Sequence, residues 1–442
     1  MRTVIVSCWL VFCLAACSGL PQHGGQHGAD AVETNRDPAR FLPLPKGDDA
    51  FGFVIFGDRT GGPDSGIEVL KQAVADTNLL DPDLVMTVGD LIQGYNQDAE
   101  WLKQMREFRG VMDDLSMRWF PVAGNHDVYY RGPDAPPEEH ERNYETHFGP
   151  LWYAFEHKGC WFVVLYSDEG DPETGERNFK KPASQKMSPE QLAWLEETLR
   201  KAGGAEHVFV FLHHPRWLGR NYGDDWERVH QTLARAGNVS AVFAGHIHRM
   251  RYDGERDGIE YFTLATTGGH LSAHIPEAGY LHHFHVVTVR GADVSLAAIP
   301  VGAVLDPREI TGDLSQQIAT LRAGLTLTQT AELQLNADGS FGQELELELT
   351  NPCARPIEVT VGLSSADRRW TLQPDHRHAE VGPGERGVFR FSAARDAGPW
   401  DADSGQPVWT LGCDYLGEGV RITIPESRGV ITVAQPRSPD GP

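Results

Sequence analysis

Two aspartates, an asparagine-histidine pair, a histidine pair and a His-x-His tripeptide follow one another along this chain: Asp58, Asp90, Asn125-His126, His213-His214 and His246-Ile247-His248. Carboxylates, an amide oxygen and imidazoles are the ligand types that hold borderline divalent cations, so the series describes a two-metal site. Each member lies just after a short apolar run: Phe51–Phe56, Asp83–Val88, Trp119–Ala123, Val208–Leu212 and Ala241–Ala244. Runs of this length read as strands, and ligands at their exits collect at one end of a sheet. Gly57, Gly89, Gly124 and Gly245 stand directly before a ligand, where a residue without Cβ lets the backbone turn sharply and approach an ion closely.

The elements that must position these residues alternate between strand-like and helical patterns from 51 to about 300, which predicts an α/β layered domain. Asp98 is placed to cap a helix whose apolar face runs through Trp101, Met105, Phe108 and Met112. Ser188-Pro189-Glu190-Gln191 matches a capping box, with Trp194 and Leu195 facing the core behind it. After about 300 the pattern changes. A helical connector through Leu314–Leu325 precedes period-two alternation at Glu344–Leu349 and further runs at Ile357–Leu363, Gly387–Phe391, Val408–Leu411 and Val420–Ile424. Turn-separated alternation of this kind predicts a β-sandwich of immunoglobulin-like type, without a residue cluster that suggests catalysis. The expected divisions are 1–16, 17–46, 47–302, 303–326 and 327–436.

The first of these reads as a signal segment: Met1 and Arg2 precede an apolar stretch from Val4 to Ala16 that is too short to span a bilayer. Leu14-Ala15-Ala16-Cys17 resembles the lipobox of bacterial lipoproteins, which implies lipid on Cys17, a flexible tether over 17–46 and residence in the cell envelope, on the periplasmic face or the cell surface. Of the six cysteines, Cys8 and Cys13 leave with the signal. In an oxidising envelope Cys353 and Cys413 are candidates for a disulfide, whereas Cys160 reads as a buried thiol. A formal net charge of −23 argues against nucleic acid as a partner, because tracking a phosphate backbone needs clustered Lys and Arg.

Together Gly57-Asp58, Gly89-Asp90, Gly124-Asn125-His126-Asp127, His213-His214-Pro215 and Gly245-His246-Ile247-His248 resemble the calcineurin-like metallophosphoesterases, which include the purple acid phosphatases and related phosphodiesterases. Tyr144–Phe155 and Ser188–Leu195 are similar to that family as well. The resemblance covers roughly residues 50–300 and implies a layered αββα sandwich. It implies two metal ions, Fe, Mn or Zn, bridged by Asp90. Metal one would take Asp58 and His248, and metal two Asn125, His246 and one histidine of the 213–214 pair. His213 is the first choice because the family ligand lies two residues before proline. His214 is then the alternative ligand or a phosphate contact. Two ions about 3.5–4 Å apart would turn a bridging water into the hydroxide nucleophile of an in-line attack on phosphorus. His126 would face the leaving oxygen as general acid or hydrogen-bond donor to phosphate, and the carboxylate that orients it is not chosen by the sequence, although Asp127 is adjacent.

The first motif departs from the family pattern Asp-x-His, reading Asp58-Arg59-Thr60, so metal one lacks an imidazole. Arg59 is either a phosphate contact or a surface arginine. The leading expectation is therefore a lipid-anchored phosphoesterase acting on phosphomonoesters or phosphodiesters. The alternative is a non-catalytic envelope protein whose degenerate metal site binds a phosphate group or stabilises the fold. Tyr129, Tyr130 and Arg131 are candidates for the substrate mouth. His270 reads as a structural or supporting residue, His282, His283 and His285 as structural, and Asp168–Glu176 as a solvated acidic loop.

Overall fold

The computed structural model describes residues 50–130, 136, 138–400 and 405–434. The expected signal segment, Cys17, the tether and Arg131 fall outside the described residues. The chain divides between Val304 and Leu305 into two units, each with its own core.

In the first unit the strands are β1 (Phe51–Phe56), β2 (Leu84–Thr87), β3 (Arg118–Phe120), β4 (Tyr153–His157), β5 (Cys160–Val164), β6 (His207–Phe211), β7 (Val239–Ala244), β8 (Arg251–Arg256), β9 (Ile259–Thr263), β10 (His283–Arg290) and β11 (Asp293–Pro300). They form one sheet in the order β11-β10-β1-β2-β3 and a second in the order β4-β5-β6-β7-β9-β8. Within the first sheet β1, β2 and β3 are parallel, and within the second β5, β6, β7 and β9 are parallel.

Alternation along the strands explains the layering. Phe53, Ile55 and Met86 of the first sheet share a buried cluster with Phe162, Phe209, Phe211 and Phe243 of the second, so the two sheets pack face to face. The intervening residues Val54, Phe56 and Val85 point the other way, onto Leu70, Ala73 and Val74 of helix Gly66–Leu80 and Trp101, Met105 and Phe108 of helix Asp98–Met112. On the far side Val163, Val208, Val210 and Val242 meet Leu195 and Leu199 of helix Pro189–Lys201 and Val229 and Leu233 of helix Trp226–Ala236. The result is helix, sheet, sheet, helix. Continuous apolar runs are what parallel strands covered on both faces require.

The local start signals hold in part. Ser188 Oγ accepts from the Gln191 backbone at 3.1 Å, so the helix is capped there. The reciprocal half of the capping box is absent: the Gln191 side chain instead pairs with both backbone groups of Tyr166. Asp98 is the first residue of its helix rather than its cap, and its carboxylate accepts from Asn143 at 2.6 Å.

The second unit holds two four-stranded antiparallel sheets. Phe341–Thr350 and Arg386–Arg395 centre one of them, Ile357–Ser364 and Val408–Leu416 the other, and their inward residues form one core. Leu345, Leu347 and Leu349 are buried while Glu344, Glu346 and Glu348 face out, Glu346 accepting from Arg390. Burial of each such leucine is worth roughly 1.5–3 kcal/mol. Helix Gly312–Gly324 buries Leu321 in this same core, so the segment read as a connector is part of the sandwich unit. Cys353 and Cys413 are buried there as free thiols, and the disulfide expected between them is not formed. Cys353 Sγ donates to the Gln317 carbonyl at 3.3 Å, and burial, with Asp414 and Cys353 adding to it, pushes the Cys413 thiol up to about 12.

Candidate metal centre

Every residue of the sequence series emerges from the carboxyl end of a parallel strand: Asp58 after β1, Asp90 after β2, Asn125 after β3, His213 after β6 and His246 and His248 after β7. This is the end of an open α/β sheet where ligands bind, because the chain leaves the sheet there and loops are free to shape a cleft. The close approach of the loops depends on glycine. A Cβ on Gly124 would lie 2.4 Å from Asp90 Oδ1, and one on Gly245 would lie 2.2 Å from Asp58 Oδ1.

The convergence is one of acceptors. His213 Nδ1 lies 2.8 Å from the Val88 carbonyl, which can only accept, so Nδ1 carries a proton and Nε2 is the nitrogen that faces the centre, open to a proton or a metal ion. That Nε2 sits 3.1 Å from Asn125 Oδ1, 3.2 Å from His246 Nδ1 and 3.3 Å from Asp90 Oδ1. The Asn125 amide is turned the same way, since its Nδ2 donates to Tyr95 Oη at 2.5 Å and leaves Oδ1 inward. His248 repeats the pattern: Nδ1 donates to the His270 carbonyl at 2.8 Å, and Nε2 lies 3.2 Å from Asp58 Oδ2. Lone pairs gathered this closely repel unless a cation lies among them. One ligand atom each from Asp58, Asp90 and His213 lie within 4.8 Å of one another, as do one each from His213, His214 and His246. The donor set therefore fits metal ions.

Electrostatics say the same. Burial opposes charge on His213, yet the Asp90 carboxylate, with Asp58 and Asp168 beyond it, pushes its pKa up to about 10. Burial likewise opposes charge on Asp90, but His213 and His126 hold its carboxyl well below the usual range. Burial and the neighbouring His213 bring His246 down to about 3. A buried pocket that draws in one proton and rejects the next demands positive charge at a defined place.

Several placements were not legible from the sequence. His214 is fully buried with Nε2 3.0 Å from Asn125 Oδ1, so both rings of the pair reach the centre rather than one. Behind it, 3.6 Å from Nδ1, stands the buried carboxylate of Asp168, whose pKa burial raises to about 6 against the pull of His213. The stretch read as a solvated acidic loop thus begins with a buried residue that faces the site. Its neighbour Glu169 accepts from the Ser188 backbone, and exposure begins only past Asp171. His126 is oriented by the Gln93 carbonyl, 2.5 Å from Nδ1, and not by a carboxylate. Asp127 instead ties the loops together by accepting from the backbones of Leu91, Ile92 and Gly124. Tyr95, in the left-handed region at φ 53°, packs its ring 4.2 Å from that of His126.

Arg59 is neither on the surface nor among these groups. It is 5 % exposed, packs beside Gly66 and Gly268, and reaches the Asp64 carbonyl at 3.5 Å. Residues alternate across the chain as it leaves β1, so Asp58 facing the centre sends Arg59 away from it. Thr60 returns, with Oγ1 3.5 Å from Asp90 Oδ2. His270 contributes its carbonyl to His248 and exposes its ring. Tyr129 and Tyr130 line a cavity of about 730 Å³ next to the centre, and His283 and His285 are buried in the sheet.

Residues 51–250 match the family model of the calcineurin-like phosphoesterases. The first unit has the calcineurin-like metallophosphoesterase fold. Among solved structures it is similar to a dimetal phosphatase from Danio rerio, at 17 % identity and a TM-score of 0.43 over 57 % of this chain and 99 % of that one. It is also similar to the purple acid phosphatase PPD1 of yellow lupin (Lupinus luteus), at 16 % identity and a TM-score of 0.44 over 60 % of this chain and 53 % of that one. No curated protein matches the chain significantly. The phosphoesterase domain has no helix, among the described residues, long and apolar enough to cross a membrane.

Proposed function

We propose that the phosphoesterase domain hydrolyses phosphomonoesters or phosphodiesters using two metal ions, with Fe, Mn and Zn all suited to this ligand set. The observation that supports this reading is the inward turn of acceptor atoms from Asp58, Asp90, Asn125, His213, His246 and His248. Asp90 would be shared between the ions, Asp58 and His248 would serve metal one, and Asn125, His213 and His246 metal two. His214 offers metal two a further imidazole, or holds Asn125 and a phosphate oxygen. When bound, the metal pair supplies an activated water and the positive charge that a phosphoryl group needs.

The protein's own part is orientation. The carbonyls of Val88, Gln93 and His270 select one tautomer each for His213, His126 and His248. In its protonated form His126 presents Nε2–H to a leaving oxygen, since Nδ1 is occupied by Gln93. The buried walls, with His213, His214 and Asp58 wholly shielded, exclude water and strengthen each of these interactions.

The test is metal analysis of the purified protein together with hydrolysis of 4-nitrophenyl phosphate and bis(4-nitrophenyl) phosphate. Two equivalents of metal and turnover of either ester are expected. At most one metal, with no turnover across added Mn, Fe and Zn, would leave only a non-catalytic binding protein. We also propose that Cys17 carries lipid and tethers the chain in the bacterial envelope. Cys17→Ala would then move the protein from the membrane to the soluble fraction.

A further inference from the structure

Two cavities flank the centre, and Phe179 and Lys180 line both. The larger, about 730 Å³, carries Glu138, Glu139 and Glu169, and its arginine, Arg177, is already paired with Glu141. The smaller, about 540 Å³, has a different character. It opens on His246 of the metal centre, has Tyr222 in its wall, and is lined by Lys180, Arg220, Arg249 and Arg251 without any carboxylate. Arg251 is neutralised by Asp253. Arg249 has no counter-charge among the described residues, its partner being Tyr280, through a 3.1 Å hydrogen bond and a ring contact at 5.7 Å. Lys180 lies over the Phe179 ring at 5.8 Å, and among the described residues neither it nor Arg220 has a carboxylate partner. Three uncompensated cations thus face one groove in a chain of net charge −23.

Like charges brought together without counter-charges repel, and the arrangement is stabilised by an anion that occupies it. We propose that this groove is a subsite for a second phosphate group, so that the preferred substrates carry one phosphate at the metals and another in the groove beside His246. The inference rests on the phosphoesterase reading and narrows it to bis-phosphorylated or polyphosphorylated substrates. The leaving portion of such a substrate is itself anionic. Tyr222, whose ring lies 6.4 Å from that of His246 and 5.8 Å from that of His214, walls the passage between the two phosphate positions.

Propyl phosphate and propane-1,3-diyl bisphosphate differ only in the distal phosphate, which makes them the probes. With the metal-loaded protein, phosphate release is expected to give a kcat/KM at least about tenfold higher for the bisphosphate. The double variant Lys180→Gln/Arg220→Gln keeps a polar side chain at each position and removes two charges. It should bring that ratio to about one. An equal kcat/KM for both compounds in the wild type, or a preference that survives in the variant, would overturn the subsite. If neither compound is turned over while a nitrophenyl ester is, the phosphoesterase reading stands, and it fails by itself only if the nitrophenyl esters are inert as well. Calorimetry with the same pair then decides the subsite: tighter bisphosphate binding in the wild type alone supports it, and equal binding of the two compounds removes it.

Discussion

The two sides of the metal centre are built to different standards. Around Asn125, His213, His214 and His246 three of the four residues have a polar neighbour behind them: Val88 holds His213, Tyr95 holds Asn125, and Asp168 faces His214 at 3.6 Å. Around Asp58, Thr60 and His248 there is one imidazole, held by the His270 carbonyl, and a hydroxyl 3.5 Å from Asp90. The His248 side chain is 19 % exposed, whereas His213 and His214 are fully buried. Ligand number and backing both favour the Asn125 side, so that side should fill first and empty last. In the two-metal reading proposed above, the Asn125 side would be the stronger site and the Asp58 side the weaker.

The most direct way to break the comparison is at the shared residue. Asp90→Asn should remove both metals and lower kcat by about a thousandfold or more, as read by metal analysis and ester hydrolysis. Retention of one metal at the Asn125 side would show that the strong side does not need the bridge. A second test uses pH. With its pKa at about 10, His213 holds a proton at neutral pH in the metal-free protein, and a metal must displace it. Metal uptake at that side should release protons into a weakly buffered solution, and its apparent affinity should fall about a hundredfold from pH 8 to pH 6. The sign reverses for stability without metal. The raised His213 value stabilises the metal-free fold below about pH 6.5, and this contribution is lost as pH rises through about 10, which thermal melts of chelated protein would follow.

Smaller changes should make the sides more alike. Thr60→His would restore an imidazole beside Asp58 and raise metal affinity there by about tenfold, seen as slower loss of the first metal to a chelator. No change in that rate would mean that Thr60 does not border the weak site. Tyr95→Phe removes the acceptor that turns the Asn125 amide, and should weaken the strong side several-fold, on the order of one lost hydrogen bond. An unchanged affinity would assign the orientation of Asn125 to His213 and His214 alone.

What could be seen beforehand follows from how locally it is encoded. Asp58, Asp90, Asn125, His213, His246 and His248 each end an apolar run, and the run, its exit and its ligand type lie within a few neighbouring residues. The four-layer fold was legible for the same reason, because strand and helix periods alternate with little interruption to Arg290. The supporting residues are encoded at a distance. Tyr95 and Asp168 belong to loops whose composition looks solvated, and only the packing of separate strands carries them inward. Arg59 was misread because its direction depends on Asp58 occupying the other face of the chain. Gln191 matched a capping box, but the Tyr166 backbone offered it two partners instead of one.

Three imidazoles take their orientation from main-chain carbonyls, those of Val88, Gln93 and His270. A carbonyl cannot be deleted by exchanging a side chain, so point substitution of the surrounding residues will seldom free these rings. For protein engineering this means that the centre is portable only as a set of backbone segments. A transplant that copies the side chains of Asp58, Asp90, Asn125, His213, His246 and His248 onto a new scaffold, without the chain paths through 88–93 and 266–270, would carry the donor atoms but lose their aim.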